Sequence, residues 1–295
     1  MTTIDSVPDG GRILVTGAGG TIGSAVTTRL LEAGYPVTAF DVSFPHGSSA
    51  DRVITGDATS ATEIAGAFTD AVGVVHLAAI PGLGGDDPYP LFRLNVSATY
   101  NVLQTAADQG VRRAVIASSI QAIGIPNGHH DTRPDYYPMD EDTPPDVADA
   151  YSLSKQVDEH TAAAFARSHD MVVVAFRFPY TATAEHLADA ARGAAEHTER
   201  GVGEGWSYLD VRDAAEAARL ALATPLPAAA HVIALSAPDN LPGIEATELL
   251  RRHAPHSEVR GDVHGTATLY SSARAAELLG WHARHVRAWE HEVGA

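Results

Sequence analysis

A glycine-rich turn, set between an apolar run and an amphipathic stretch, constrains the fold more than any other feature of this sequence. Residues 13–15 are apolar without alternation, which is typical of a strand covered on both faces. Gly17, Gly20 and Gly23 follow at three-residue intervals, and residues 22–30 place apolar side chains on one helical face. A strand, a tight turn and a helix in direct succession predict the first unit of a doubly wound α/β sheet.

The alternation of short apolar runs and amphipathic stretches continues to about residue 178. The later predicted strands are residues 37–40, 53–55, 72–77, 114–117, 171–178 and 231–235. The predicted helices are residues 61–68, 90–109, 151–168, 211–223, 244–252 and 271–279. This pattern predicts an α/β chain with a Rossmann-type doubly wound parallel sheet and a small C-terminal substrate lobe. The predicted core takes residues 11–178 with 211–223 and 231–235, and the predicted lobe takes residues 179–210 and 237–295.

Length and charge limit the partners of the chain. Its 295 residues are close to the most that one hydrophobic core supports, and its formal charge of −17 repels nucleic acid and anionic membranes. The absence of cysteine excludes disulfides, thiolate zinc sites and a cysteine nucleophile. Residues 1–11 lack the apolar run of a signal peptide, and residues 171–176, the longest apolar stretch, are too short to cross a membrane. We expect a cytoplasmic protein with no nucleic-acid or membrane partner.

The glycine turn predicts a phosphate site. Glycine lets the backbone turn sharply and approach a pyrophosphate closely, and the N-terminus of the following helix presents N–H donors to it. Asp41 ends the next predicted strand, where its carboxylate could accept hydrogen bonds from the hydroxyls of an adenosine ribose and would repel a 2′-phosphate. The turn and Asp41 together predict NAD, rather than NADP, as the cofactor.

Further cofactor contacts are predicted where the following strands end. Asp57 is placed either to contact the adenine amino group or to cap the helix after it. Ala78 and Ala79 have small side chains, so the backbone there can pass close to a flat cofactor, whereas His76 is predicted to be a core histidine. The predicted cofactor residues are Gly17, Gly19, Gly20, Thr21, Ile22, Gly23, Asp41, Asp57, Ala58, Leu77, Ala78, Ala79, Asn95, Tyr151 and Lys155.

Tyr151 and Lys155 form the candidate catalytic pair, because a spacing of four residues places both on one face of a helix. A phenol loses its proton at about pH 10, and both a neighbouring ammonium and a positively charged nicotinamide stabilise the phenolate. A pair with this spacing is common by chance on exposed helices, but here it follows the cofactor motif. Ser118 and Ser119 lie at the end of a predicted strand between the two motifs, where either hydroxyl could donate to a substrate oxygen.

These motifs resemble the extended short-chain dehydrogenase/reductase family, of the NAD-dependent epimerase/dehydratase type. The matching elements, in the order the family has them, are residues 16–23, Asp41, Asp57, residues 76–79, residues 95–102, Ser118, Ser119, residues 151–155 and Arg177. The resemblance implies that Tyr151 is the acid/base, that Lys155 holds the nicotinamide ribose and that Ser119 is the hydroxyl partner. It also implies that the Asn95 amide helps to organise the site.

The same resemblance implies a reaction and an assembly. The reaction is hydride transfer between a carbinol carbon and the nicotinamide ring, coupled to proton transfer through Tyr151. The assembly is a homodimer formed through the predicted helices at residues 90–109 and 151–168.

Departures from the family pattern bear on the substrate. Residues 178–182 follow Arg177 where relatives that bind nucleotide sugars often have an Asn-rich stretch. Only about thirty residues separate Arg177 from Trp206. A lobe this short favours a small substrate. Ile120 and Gln121 stand where sugar dehydratases keep an acid pair, which disfavours a 4,6-dehydratase.

Candidate substrate contacts are Ser118, Gln121 and Pro179. The long predicted loop at residues 125–150 adds polar candidates, which are His129, His130 and Arg133, although most of these are expected to face solvent. His129, His130 and Asp131 are adjacent in the sequence, but no further ligand clusters with them, so we predict no metal site.

The sequence supports three functional hypotheses. The first is an NAD-dependent oxidoreductase that acts on a hydroxyl or carbonyl of a sugar or sugar acid. The alternative is a nucleotide-sugar 4-epimerase with tightly bound NAD. The third is a non-catalytic NAD-binding scaffold, against which the intact Tyr151 and Lys155 argue.

Overall fold

The computed structural model describes residues 2–82, 87–127 and 133–292. Its strands are β1 (Thr3–Ile4), β2 (Arg12–Thr16), β3 (Val37–Asp41), β4 (Arg52–Thr55), β5 (Ala71–His76), β6 (Arg113–Ser119), β7 (Tyr136–Tyr137), β8 (Val172–Phe178), β9 (Tyr180–Ala182), β10 (Tyr208–Asp210), β11 (Leu226–Pro227), β12 (Ala230–Ala234) and β13 (Glu258–Val259). Its helices are α1 (Thr21–Glu32), α2 (Ala61–Ala67), α3 (Pro88–Asp108), α4 (Ala150–His169), α5 (Ala184–Glu196), α6 (Val211–Ala223), α7 (Ala246–His253), α8 (Ala273–Leu279) and α9 (Trp289–Glu292). Short 3-10 helices span Ile120–Ile123, Ile125–Asn127 and Thr198–Glu204.

Seven strands form one parallel sheet in the order β12-β8-β6-β5-β2-β3-β4. The order reverses between β2 and β5, so the connections after these two strands leave in opposite directions. A cleft opens at the carboxyl ends of the strands at such a reversal, and ligands of doubly wound sheets bind there. The predicted Rossmann-type fold is confirmed.

Alternate residues of the sheet strands serve two cores on opposite faces. On β2, Ile13 and Val15 pack with α1, α6 and α8, whereas Leu14 packs with α2, α3 and α4. Because helices cover both faces, the central strands need apolar residues at every position and show no alternation. The cores hold the strand ends, and hence the cleft, in place.

Two smaller apolar clusters lie outside the sheet. One joins Tyr137 and Trp206 to Leu249 of α7, and the other joins Leu187 of α5 to Tyr208. The short parallel pairs β9–β10 and β7–β13 connect the segments that carry them. The division of the chain into a core and a separate substrate lobe stays a prediction.

The main difference from the predicted elements is the helix α5, because no helix is predicted between residues 168 and 211. Its buried face is made of Leu187, Ala188 and Ala191, and a face made largely of alanine gives a weak periodic signal. The strand β6 also continues to Ser119 instead of ending at residue 117, so both candidate serines belong to the strand. No helix in the described ranges is both long enough and apolar enough to span a bilayer.

Candidate active site

A first cavity, of about 740 Å³, lies at the carboxyl ends of β2, β3 and β5, where the strand order reverses. The predicted cofactor residues other than Tyr151 and Lys155 all line it. They are Gly17, Gly19, Gly20, Thr21, Ile22, Gly23, Asp41, Asp57, Ala58, Leu77, Ala78, Ala79 and Asn95. We call this space the dinucleotide cavity.

The glycine turn is packed so closely that side chains do not fit at most of its positions. Gly17 has φ +72°, and a Cβ there would lie 2.5 Å from the Ala78 nitrogen. A Cβ on Gly19 would lie 2.0 Å from the Ser43 carbonyl oxygen. Gly20 is different, since a Cβ there would meet only the Gly17 carbonyl, at 3.4 Å, while the residue lines the cavity. The missing side chain of Gly20 therefore keeps open a space beside the helix.

The N-terminus of α1 opens on this space. Gly20 is its N-cap residue and provides no side-chain cap, so the first N–H groups of the helix are not covered by a side chain. Free N–H groups and the positive end of the helix dipole bind a pyrophosphate. The turn thus fits the phosphates of a dinucleotide.

Asp41 ends β3 at the edge of the dinucleotide cavity. Its Oδ2 accepts a hydrogen bond from the Gly19 N–H at 2.9 Å, and its Oδ1 accepts one from the Ser43 N–H at 3.4 Å. None of the described residues that line this cavity is a lysine or an arginine. A 2′-phosphate would therefore meet a carboxylate and no cation, so the donor set fits NAD.

Asp57 and Asn95 both make local hydrogen bonds that bear on their predicted roles. The Asp57 carboxylate accepts from the Thr59 N–H at 2.8 Å, while Ser60 is the residue that caps α2, so the helix-cap alternative for Asp57 is wrong. The Asn95 amide is paired with both backbone groups of Ile80, at 2.8 and 3.1 Å, and donates to Ser154 at 3.3 Å. Asn95 thus links the segment after β5 to α4 through hydrogen bonds.

His76 lies buried beneath the site and is bonded on both sides. Its Nδ1 is 2.7 Å from the Thr16 hydroxyl, and its Nε2 is 3.3 Å from the Thr99 hydroxyl. Burial, together with the nearby Lys155 ammonium, lowers the pKa of His76 to about 3. The ring is therefore neutral and belongs to the core.

The candidate catalytic pair lies on the first turns of α4, which begins where the Asp149 carboxylate caps the Ser152 N–H at 2.9 Å. The Lys155 Nζ lies 5.8 Å from the centre of the Tyr151 ring. The other side of that ring is covered by the backbone at Gly82, where a Cβ would lie 2.5 Å from Tyr151 Cγ. Helix capping and this contact hold the phenol in one orientation.

Lys155 is almost fully buried, at 3% exposure, and its ammonium is held by two acceptors. It donates to the Ala117 carbonyl at 2.9 Å and to the Asp158 carboxylate at 3.2 Å. Burial disfavours the charged lysine, but the Asp158 carboxylate, with smaller contributions from Tyr151 and Glu159, outweighs burial and raises the pKa of Lys155 above its usual value. Asp158, at 1% exposure, was missed by sequence reasoning, although its spacing of three residues from the lysine was a usable signal.

The two candidate serines at the end of β6 have different partners. The Ser118 hydroxyl donates to Glu159 at 2.6 Å, and Arg177 binds the same carboxylate through two nitrogens at 2.8 and 2.9 Å. The Ser119 oxygen accepts the Gln121 N–H at 3.1 Å, which leaves its own O–H free to donate. Ser118 is thus committed to a structural network, and Ser119 is the better placed donor.

A second cavity, of about 600 Å³, adjoins the first and contains the candidate catalytic groups. Both cavities share Leu77, Ala79 and Ala117 in their walls. The predicted substrate and catalytic residues that line the second cavity are Ser118, Ser119, Gln121, Tyr151, Lys155 and Pro179. We call this space the substrate cavity.

The far wall of the substrate cavity lies within residues 179–210 of the predicted lobe, although its individual residues were not predicted. It comes from α5, from the 3-10 helix Thr198–Glu204 and from the segment after it, and includes His197, Arg200, Glu204 and Trp206. Burial raises the pKa of Glu204 to about 7. The only sequence signal was the glycine-rich run at 201–205, which indicates a close approach of backbone but not what it approaches.

The predicted loop residues do not join this wall where the structure describes them. Arg133 donates to the His253 carbonyl at 3.2 Å and does not line either cavity. His129, His130 and Asp131 lie outside the described residues. In the described part of the chain, no three histidine, aspartate or glutamate side chains are grouped so as to hold a metal ion.

The geometry of the two cavities agrees with the family to which the sequence is similar. The model of the NAD dependent epimerase/dehydratase family matches residues 13–234, from β2 to the end of β12. The chain belongs to this family. It is therefore an NAD-dependent enzyme, and the resemblance to extended short-chain dehydrogenases/reductases is confirmed.

Curated relatives from this family match the chain to different extents. The UDP-glucose 4-epimerase of Corynebacterium glutamicum is 27% identical over 309 aligned residues, which cover 93% of this chain and 91% of that protein. UDP-arabinose 4-epimerase 1 of Arabidopsis thaliana is 29% identical over 186 residues, which cover 56% of this chain and 42% of that protein. The chain thus spans less than half the length of the second relative.

Solved structures of the family share the whole fold. A short-chain dehydrogenase/reductase superfamily protein from Agrobacterium tumefaciens with bound NAD has a TM-score of 0.71 at 23% identity, and the match covers 96% of this chain and 95% of that one. The structure of MoeE5 in complex with UDP-glucose and NAD has a TM-score of 0.67 at 26% identity, with 97% and 100% covered.

Proposed function

We propose that this protein oxidises a hydroxyl, or reduces a carbonyl, of a sugar or sugar derivative, with the reacting carbon held in the substrate cavity beside the dinucleotide cavity. The observation that carries the proposal is that Tyr151, Lys155 and Ser119 all line the substrate cavity, which shares the wall residues Leu77, Ala79 and Ala117 with the dinucleotide cavity. NAD, when bound, supplies or accepts hydride at its nicotinamide ring.

The three side chains have separate roles in this proposal. Ser119 donates its free O–H to the substrate oxygen and orients it. Tyr151 exchanges a proton with the same oxygen, and its fixed ring places the phenol oxygen for that transfer. Lys155 keeps its charge next to the ring, and with two N–H groups on Ala117 and Asp158 its third is left for the nicotinamide ribose.

The remaining predicted roles follow from position. Gly17 to Gly23 would bind the pyrophosphate, Asp41 the adenosine ribose and Asp57 the adenine end, since all of them line the dinucleotide cavity. Gln121 and Pro179 would contact substrate, since they line the substrate cavity. Asn95 acts as a positioning residue through its bonds to Ile80 and Ser154.

A second candidate function is a nucleotide-sugar 4-epimerase that keeps NAD bound and returns the hydride to the same substrate. The observation that favours it is the relative from Corynebacterium glutamicum, a UDP-glucose 4-epimerase that aligns with 93% of this chain. Such an enzyme copurifies with its cofactor and causes no net reduction of added NAD.

The deciding experiment mixes the purified protein with NAD and a panel of free sugars, sugar acids and UDP-sugars. We expect reduced cofactor, followed by its absorbance, with at least one free sugar. We expect the Tyr151→Phe variant to lose about 1,000-fold in rate, since it keeps the ring but cannot transfer the proton. Interconversion of a UDP-sugar without net reduction would establish the epimerase instead. A Tyr151→Phe variant as active as the parent would show that Tyr151 is not the acid/base, and NAD binding without turnover of any sugar in the panel would favour the scaffold hypothesis.

Two further proposals concern assembly and location. We infer a homodimer through α3 and α4, which is supported by the large side chains that these helices expose, including Tyr100 and Leu153. We also infer a cytoplasmic location, which is supported by a cysteine-free composition of the kind that a reducing compartment permits.

A further inference from the structure

The far wall of the substrate cavity contains one carboxyl group whose role the reaction does not explain. Glu204 is the last residue of the 3-10 helix Thr198–Glu204 and lines the same cavity as Tyr151 and Lys155 of α4. Within the described ranges its side chain has no hydrogen-bond or ion-pair partner. A half-buried carboxyl without a protein partner in a ligand cavity is available to a ligand.

The backbone that carries Glu204 is firmly held. Its carbonyl accepts the N–H and the hydroxyl of Ser207, at 3.2 and 2.6 Å. The next residue, Gly205, has φ +58° and approaches Leu269 so closely that a Cβ would lie 2.4 Å from its carbonyl oxygen. The buried Trp206 donates from Nε1 to the Thr198 carbonyl at 2.7 Å and closes the turn. Glu204 therefore projects from a rigid frame, as a recognition group must.

The two basic side chains of this wall, His197 and Arg200, lie near a different carboxylate from that of Glu204. The His197 and Arg200 side chains are largely exposed, and both lie near the Glu199 carboxylate, at 3.6 and 4.0 Å. Val202 and Trp206, which lie on either side of Glu204 in the sequence, are buried apolar residues. The two basic side chains are thus more exposed than Glu204 and lie near Glu199 instead of it.

We propose that Glu204 selects the substrate by accepting hydrogen bonds from hydroxyl or amino groups of the sugar ring, and that it excludes sugars with a carboxylate at that position. The proposal builds on the oxidoreductase or epimerase function above and separates the neutral sugar from the sugar acid, which that function leaves open. A hydroxyl-bearing ring satisfies the carboxyl, whereas a second carboxylate about 6 Å away is repelled strongly enough to weaken binding about 100-fold.

The exclusion depends on pH, because burial places the pKa of Glu204 at about 7. Above that pH the group is charged and rejects a carboxylate, and below it the protonated group donates to one instead. The other charged or titratable side chains that line the cavity are Tyr151, Lys155, Tyr180, His197 and Arg200.

The test compares matched sugars that differ only in the carboxylate. We would measure kcat/KM of the NAD-loaded enzyme for galactose against galacturonate and for UDP-glucose against UDP-glucuronate, at pH 6 and pH 8.5. We expect the neutral member to be preferred about 100-fold at pH 8.5 and much less at pH 6. We expect Glu204→Gln to lower kcat/KM for the neutral sugar about 10-fold and to remove most of the preference at pH 8.5.

The control is Glu199→Gln, a carboxylate on the same 3-10 helix that faces His197 and Arg200 and does not line the cavity. It is expected to leave the preference unchanged. Preference of the parent for the sugar acid, or a Glu204→Gln variant with the parental ratio at pH 8.5, overturns the proposal and leaves the oxidoreductase function intact. If nothing in the panel turns over, that function fails, and calorimetric affinities of the same pairs are expected to give the same ratios.

Discussion

The two adjoining cavities are built in different ways. The dinucleotide cavity is lined almost entirely by residues from the first hundred positions, and its closest contacts are made by backbone atoms of the glycine turn and of the strand ends. The substrate cavity takes its walls from six separate parts of the chain, at residues 22, 77–81, 117–121, 151–155, 178–207 and 241–242. A cofactor site made from local backbone is specified by a short motif, whereas a substrate site made from distant side chains is specified by packing.

The acidic side chains of the two cavities also differ in how far the backbone supports them. Asp41, in the dinucleotide cavity, is tied to the backbone N–H groups of Gly19 and Ser43 and serves the loop as well as the ligand. Glu204, in the substrate cavity, has no such support and a pKa near neutrality through burial. Substituting backbone-supporting residues is therefore expected to have larger effects than substituting free side chains.

The largest effect is expected from Gly19→Ala. The new methyl group would lie 2.0 Å from the Ser43 carbonyl oxygen, so the turn must move away from β3. We expect the affinity for NAD, measured by calorimetry, to fall about 100-fold or more, because the displaced N–H groups no longer converge on the pyrophosphate.

The matched control is Gly66→Ala in α2, where no atom lies within 4 Å of the added Cβ. This variant is expected to bind NAD normally and to gain about 0.5–1 kcal/mol of stability from helix propensity. A Gly19→Ala protein that binds NAD as tightly as the parent would show that the backbone of the turn does not set the cofactor site.

The dinucleotide cavity was largely predictable because its determinants are close together in the sequence. Within a strand–turn–helix unit, a glycine at position 17, which the structure shows with positive φ, and an aspartate at the end of β3 together indicate a dinucleotide site. The interpretation of Asp57 was less secure, because a carboxylate before a helix also suits a cap, and only the structure identifies Ser60 as the cap.

The substrate cavity was mostly not predictable, for a physical reason. Glu204 and Trp206 acquire their position from contacts with Leu269 and Thr198, and the residues of α5 acquire theirs from packing with β10. Such contacts leave no periodic signal in the sequence. Only the family resemblance favoured Ser119 over Ser118, because the physical difference between them is a hydrogen bond from Ser118 to Glu159, 41 positions away.

A smaller effect is expected from Asp41→Asn, which keeps an oxygen for the Gly19 N–H and removes only the charge. We expect the ratio of kcat/KM with NAD to kcat/KM with NADP to fall about 10- to 100-fold, because the 2′-phosphate is no longer repelled. Steady-state rates with each cofactor provide the measurement.

Asp70→Asn is the control for this change in charge. Asp70 is exposed, pairs with Arg52 at 3.6 Å and has φ +64°, a conformation that asparagine tolerates. It is expected to leave the cofactor ratio unchanged. An Asp41→Asn enzyme that still rejects NADP as strongly as the parent would mean that the shape of the cavity, and not its charge, selects NAD.

The smallest effect at neutral pH is expected from Asp158→Asn, which removes the carboxylate that holds the Lys155 ammonium. Since Asp158 raises the pKa of Lys155 above its usual value, the ammonium of the parent persists until the pH rises through that pKa. Without the carboxylate, burial prevails and the pKa falls. We expect a loss of less than about 5-fold at pH 7 and a shift of the alkaline limb of the kcat/KM profile to lower pH by about one unit.

Asp189→Asn in α5 is the control, because Asp189 forms an ion pair with Arg192 at the same spacing of three residues but on an exposed surface. Exposed pairs contribute little, so its profile is expected to match that of the parent. An unchanged alkaline limb in Asp158→Asn would assign the position and charge of Lys155 to the Ala117 carbonyl alone. The catalytic lysine would then be held by a backbone carbonyl, as the glycine turn is held by backbone contacts. The two cavities would then differ only in the groups that contact the substrate, and not at Lys155.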